Sequence, residues 1–168
     1  MTIDKDLTAL EILGVAIRKE IESQHFYDKM AERIRNRVVK ERILNLARDE
    51  RGHELLLKKI YRQWSGEENP PIPEKGITPV SELIKDEMTH EQVLEKAIAQ
   101  ERAASTMYIE ASKKAQDDSG RRVLQYLSEF ERTHERILAS ELDYLKTNSD
   151  WFDEETFPGS DRPIHLGP

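Results

Sequence analysis

Two stretches of the chain, Arg48-Asp49-Glu50-Arg51-Gly52-His53 and Glu129-Phe130-Glu131-Arg132-Thr133-His134, each place a glutamate three residues before a histidine. On an α-helix, residues three apart share a face one turn from each other. A carboxylate and an imidazole set that way can both reach one metal ion. One such pair in a glutamate-rich chain is weak evidence, but both pairs fall where an apolar stripe should run. The second helical segment reads Val39, Ile43, Leu46, then Glu50 and His53, then Leu57, Ile60 and Trp64. The fourth reads Leu124, Leu127, Glu131, His134 and Leu138. That alternating spacing of three and four is the seam of a helix packed in a bundle. Burying a carboxylate with no partner costs several kcal/mol, so such an interruption calls for a cation.

The same periodicity exposes two single carboxylates. Glu20 interrupts the stripe Leu10, Leu13, Ile17, Gln24, Tyr27, Ala31 and Ile34, and Glu101 interrupts Leu94, Ala97, Ala104, Tyr108, Ala111 and Ala115. Each has a tyrosine, Tyr27 or Tyr108, seven residues later on the same face. Glu20 and Glu50 are 30 residues apart, and so are Glu101 and Glu131. The midpoints fall on Arg35-Asn36-Arg37 and on Gln116-Asp117-Asp118-Ser119-Gly120, both polar and both carrying turn residues. Two helices joined there form a hairpin that brings each pair of glutamates to one level. The alternative, a charged bundle whose stripe breaks all face water, needs six coincidences at matching heights.

These side chains need four helices to hold them. Helix one is expected from Thr8 to Arg35, opened by a Thr8/Glu11 capping box, and helix two from Val38 to Trp64. Helix three is expected from His90, after a Thr89/Gln92 capping box, to Lys114, and helix four from Arg121 to Lys146. Ser81–Glu87 is either a short helix or the lead-in to helix three. Residues 65–79 carry four prolines, at 70, 71, 73 and 79, and so form a loop. Extended at ~3.3 Å per residue, the loop is long enough to return along the bundle and leave helices two and three parallel. An offset of 81 residues lays Glu20 on Glu101, Tyr27 on Tyr108, Glu50 on Glu131 and His53 on His134, as an internal duplication of a helical hairpin would. The expected fold is therefore all-α: residues 1–147 form a four-helix bundle of two hairpins joined by a long crossover loop. Residues 148–168 form a tail, docked or partly disordered.

Composition narrows the chemistry. The 168 residues are 37% hydrophobic and 35% charged, with a net charge of -7, which argues against nucleic acid as a partner. No apolar run reaches ~18 residues and no export signal is legible, so a cytoplasmic protein without a membrane contact is expected. Cysteine is absent, which excludes disulfides and thiolate-held metal centres from this chain. Four carboxylates balance two divalent ions, and oxygen-rich ligation with one imidazole per ion suits iron or manganese. Asp49, four residues before His53, is placed to orient that imidazole, whereas its counterpart in the repeat is Phe130. His25, His90 and His165 lie off the shared level and are not expected to be ligands.

One glutamate from each of two helices plus Glu-x-x-His from each of two others is the ligand set of ferritin-like di-iron bundles. Over residues 8–147 the chain resembles the rubrerythrin-type diiron proteins of that superfamily, with all six positions in order and Tyr27 after Glu20. The resemblance implies a ferritin-like fold and two iron ions per chain, with manganese or zinc as substitutes, held by Glu20, Glu50, His53, Glu101, Glu131 and His134. It also implies reaction with peroxide or dioxygen, a role in oxidative stress, and a homodimer or larger assembly. Tyr27 and Tyr108 are candidates for a catalytic or hydrogen-bonding role beside the ions. Two departures are legible. The usual rubrerythrin carries a rubredoxin-like iron centre with four cysteines, and here electrons would come from a separate redox protein. The usual extra glutamate, three residues before the third-helix ligand, is Ile98. The competing readings are a ferroxidase that handles iron and a bundle stiffened by a redox-silent metal.

Overall fold

The computed structural model describes residues 8–70 and 84–153. Within them the chain forms four helices, α1 (Ala9–Glu32), α2 (Arg37–Ser65), α3 (His90–Lys113) and α4 (Asp118–Thr147), and no strand. Both expected capping boxes are present. Thr8 Oγ1 accepts from Glu11 N at 3.3 Å while Glu11 accepts from Thr8 N at 2.8 Å; Thr89 and Gln92 make the same exchange at 3.2 and 3.0 Å. Such boxes satisfy amide groups that the first turn leaves unpaired. Asn36 caps α2 through Val38 N and Val39 N. Asp117 caps α4 through Gly120 N at 2.7 Å, which starts that helix three residues earlier than its apolar stripe suggests. At the far end of α2, Gly66 adopts φ 74°, a left-handed conformation open to glycine, and stops the helix.

The helices pack most closely within each hairpin, α1 on α2 and α3 on α4, and the hairpins meet along α1 against α3 and α2 against α4. Polar contacts at the ends give the directions. Lys29 and Arg33, in the last turn and C-cap of α1, donate to the carbonyls of Ile84, Lys85 and Met88, just ahead of α3. Trp64, at the end of α2, donates its indole N–H to Asp117, just ahead of α4, at 2.6 Å. Thus α1 runs antiparallel to both α2 and α3, and α2 and α3 run parallel. Residues 84–89 form the turn-rich lead-in to α3, and the centre of the expected crossover, 71–79, lies outside the described residues.

The apolar core comes in two blocks. One holds Phe26, Met30, Ile43, Leu46, Leu94, Leu138 and Leu145; the other holds Leu13, Ile17, Leu57, Ile60, Leu124 and Leu127. On every helix the glutamate or Glu-x-x-His position falls between the two blocks. Trp151 and Phe152 close the first block. The carbonyl of Phe152 accepts from Arg35 N and Asn36 N at 2.9 and 3.0 Å, and Trp151 donates to the buried Glu141 at 3.0 Å. The start of the tail therefore docks on its own bundle; residues 154–168 lie outside the described residues. No described helix is long and apolar enough to cross a membrane.

Candidate metal centre

The structure brings Glu20, Glu50, His53, Glu101, Glu131 and His134 together at one level, none of them more than 4% exposed. Their side chains form two overlapping groups. Glu20, Glu50, His53 and Glu131 make one, and Glu50, Glu101, Glu131 and His134 the other; in each, one ligand atom per residue lies within 4.8 Å of all the rest. Glu50 and Glu131 belong to both, which the helical spacing alone leaves open. The two imidazoles stack with ring centroids 5.6 Å apart at 22°.

Each histidine turns Nδ1 inward. His53 Nδ1 lies 3.1 Å from Glu50 Oε2, 3.1 Å from Glu131 Oε1 and 3.4 Å from Glu20 Oε2. His134 Nδ1 lies 3.1 Å from Glu50, 3.4 Å from Glu131 and 3.8 Å from Glu101. A single N–H serves one acceptor well, so two of the three carboxylates around His53 go short. Glu20 Oε2 and Glu131 Oε1 are buried with no hydrogen-bond partner. Oxygens converging on a point that holds too few protons are a fit for a cation.

Electrostatics divides the cluster. Burial first, then the charges of Glu50 and Glu131, raise the Glu20 carboxyl well above the usual range, and burial followed by Glu50 does the same to Glu101. Burial opposes the charged form of Glu50 and Glu131 too, but hydrogen bonds from His134 and His53 outweigh it and hold both low. For the imidazoles burial again works against charge. Hydrogen bonds to Glu131, Glu20 and Glu50 overcome it and push His53 up to about 12, and Glu101, Glu131 and Glu50 likewise hold His134 far above its ordinary value. The cluster thus pairs two imidazoles that favour their charged form with Glu50 and Glu131, held low, and sets them beside Glu20 and Glu101, whose carboxyls resist ionisation.

Two tyrosines close the level from opposite sides, Tyr27 in the first apolar block and Tyr108 in the second. Tyr27 donates to Glu101 Oε1 and Tyr108 to Glu20 Oε1, each reaching the glutamate of the other hairpin. Both phenols are fully buried, and burial followed by the nearest glutamate raises them well above their ordinary value. Asp49 does not face His53 of its own helix; its Oδ2 lies 3.5 Å from His134 Nε2 across the α2/α4 boundary. Ile98 is half-buried and packs on the first apolar block, so α3 offers no carboxylate there. His25 is exposed, His90 stacks on Phe152 at 5.0 Å, and His165 lies outside the described residues. The buried Glu141 also interrupts the α4 stripe, between Leu138 and Leu145, and the sequence reading passed over it; its partners, Arg42 at 2.5 Å and Trp151, come from α2 and the tail.

The family model described as Rubrerythrin matches residues 11–148. Among solved structures, a hypothetical protein from Pyrococcus furiosus is 29% identical, with a TM-score of 0.76 over 84% of this chain and 92% of that one. No curated protein matches the chain. With four antiparallel-paired helices around a buried glutamate and histidine level, and a family match over most of its length, the chain belongs to the rubrerythrin family.

Proposed function

We propose that this chain is a non-haem diiron oxidoreductase that reduces peroxide or dioxygen with electrons from a separate redox protein. The observation that carries the reading is the buried cluster itself, in which carboxylate oxygens outnumber the protons available to them. In this reading Glu50 and Glu131 are shared by the two ions. Glu20 and His53 complete the set of one ion, and Glu101 and His134 complete the set of the other. Two iron ions held by these residues would supply two-electron chemistry toward an O–O bond, with the external donor as the source of the electrons.

The residues of the chain set the conditions for that chemistry. The two apolar blocks above and below the level exclude bulk water, which strengthens every charge interaction within it. Tyr27 and Tyr108 hold one oxygen of Glu101 and Glu20 and so leave the other oxygen of each free to face an ion. The nearest titratable hydroxyls are those same phenols, which burial keeps protonated. A homodimer or larger assembly in the cytoplasm accompanies this reading.

Metal-free protein loaded anaerobically with Fe(II) is expected to take up two ions per chain. Peroxide is then expected to produce ferric absorption in the near ultraviolet, and to be consumed catalytically when a reductant is supplied. Accumulation of ferric iron beyond two ions per chain would instead identify an iron-handling ferroxidase. Uptake of two ions with no response to peroxide or air would identify a redox-silent metal site.

A further inference from the structure

Under the 81-residue offset that relates the two hairpins, every residue at the cluster finds its own kind: Glu20 and Glu101, Tyr27 and Tyr108, Glu50 and Glu131, His53 and His134. One neighbouring pair breaks the match. Asp49 corresponds to Phe130, and the structure shows both at equivalent places, each on the outer side of the other hairpin's imidazole. Asp49 Oδ2 lies 3.5 Å from Nε2 of His134, which is buried and has no other partner. Phe130 meets His53 edge-on, with ring centroids 5.3 Å apart at 86°. The carboxylates within 4.0 Å of His53 all approach Nδ1, the inward nitrogen, and among the described residues none approaches Nε2.

A histidine that binds a metal through one ring nitrogen holds its tautomer and orientation through the other. A carboxylate accepting from that second nitrogen also makes the ring a better donor, and removing such a partner typically weakens metal binding about 10–100-fold. His134 has this partner within a small side-chain rotation: Asp49 is 49% exposed and lines a cleft of about 710 Å³ between α2 and α4, so its carboxylate has room to close the contact. His53 has an aromatic ring edge in the same position and, among the described residues, no carboxylate at its outer nitrogen.

We propose that Asp49 is a positioning residue that makes the two ion positions unequal: the ion held by Glu50, Glu101, Glu131 and His134 binds first and more tightly than the ion held by Glu20, Glu50, Glu131 and His53. This inference rests on the metal-binding reading above. Repulsion between two cations also separates two binding steps, so the number of steps alone decides nothing. The discriminating quantity is which step a substitution moves.

The test is a titration of the metal-free full chain with Co(II), followed by visible absorption and by calorimetry. The wild-type protein is expected to fill in two steps. Asp49→Asn and Asp49→Ala should weaken the first step about 10–100-fold and leave the second within about threefold. Asp49→Glu should restore most of the loss. Phe130→Asp should strengthen the second step and bring the two closer together. The far-ultraviolet circular dichroism of metal-free Asp49→Asn should match the wild type, even though losing the carboxylate beside the buried His134 lowers its melting temperature; this separates positioning from a general loss of structure. If the Asp49 variants leave both steps unchanged, or weaken both equally, the inference is overturned while the metal-binding reading stands. If the wild-type chain takes up no Co(II), both are overturned. Should Phe130→Asp not fold, the Asp49 series alone separates these outcomes.

Discussion

Tyr27 of α1 donates its phenolic hydrogen to the carboxyl of Glu101 on α3, across the boundary between the two hairpins. Tyr108 returns the same bond to Glu20. Each hairpin thus completes the polar shell of the other, and the two bonds tie the halves together at the level of the glutamates and histidines.

Removing either hydroxyl strands a buried carboxyl oxygen. Tyr27→Phe and Tyr108→Phe are each expected to destabilise the metal-free protein by about 1–3 kcal/mol, the usual penalty for a buried polar group left without its partner. Urea denaturation at neutral pH measures this. Variants as stable as wild type would show that the crossed bonds contribute nothing.

The metal-free cluster should make stability fall with rising pH. The folded chain holds a proton on His53 up to about 12, whereas an unfolded histidine releases it near 6.5. The stabilisation is therefore complete below 6.5 and is withdrawn as pH climbs toward 12. His134, Glu20 and Glu101, all raised, act in the same direction, the glutamates from 4.5 upward. Glu50 and Glu131, both depressed, contribute stability above 4.5 that is lost as pH falls. The cluster's own contribution peaks near 4.5, so the metal-free melting temperature should drop steadily between about pH 6 and about pH 9. A melting temperature flat across that range would contradict the assignment.

Metal loading should release protons. His53 and His134, whose imidazoles are held far above their ordinary value, must each give up a proton to act as a ligand, and the raised carboxyls of Glu20 and Glu101 act in the same direction. Calorimetric titration with Co(II) in buffers of different ionisation enthalpy should show net proton release on filling both positions. Affinity should rise with pH over the same range in which the metal-free protein loses stability. Binding without proton release would mean that the cluster is already deprotonated.

At the far end of the bundle, Gly120 sits beneath the indole of Trp64. A Cβ there would stand 2.2 Å from Trp64 Cζ2, so Gly120→Ala must push the ring off its hydrogen bond to Asp117. Overpacking of this kind costs about 1–3 kcal/mol. The expected result is a lower urea midpoint, an altered tryptophan emission and an undiminished capacity for two metal ions, since the cluster lies several turns away.

The sequence by itself determined the bundle, its two capping boxes, the hairpin turns, and six ionisable positions at a common height. Helix periodicity and equal distance from a turn are local properties, readable along the chain one segment at a time. What lies across the hairpin boundary was decided by the tertiary structure, because it depends on how each helix is rotated and on where the crossover sets the second hairpin. That rotation makes Glu50 and Glu131 common to both groups and crosses the tyrosines to the opposite glutamates. It turns Asp49 toward His134 rather than toward His53 on its own helix. It also seats Trp151 and Phe152 on their own bundle, where Asn36 and Glu141 supply hydrogen-bonding partners from two different helices.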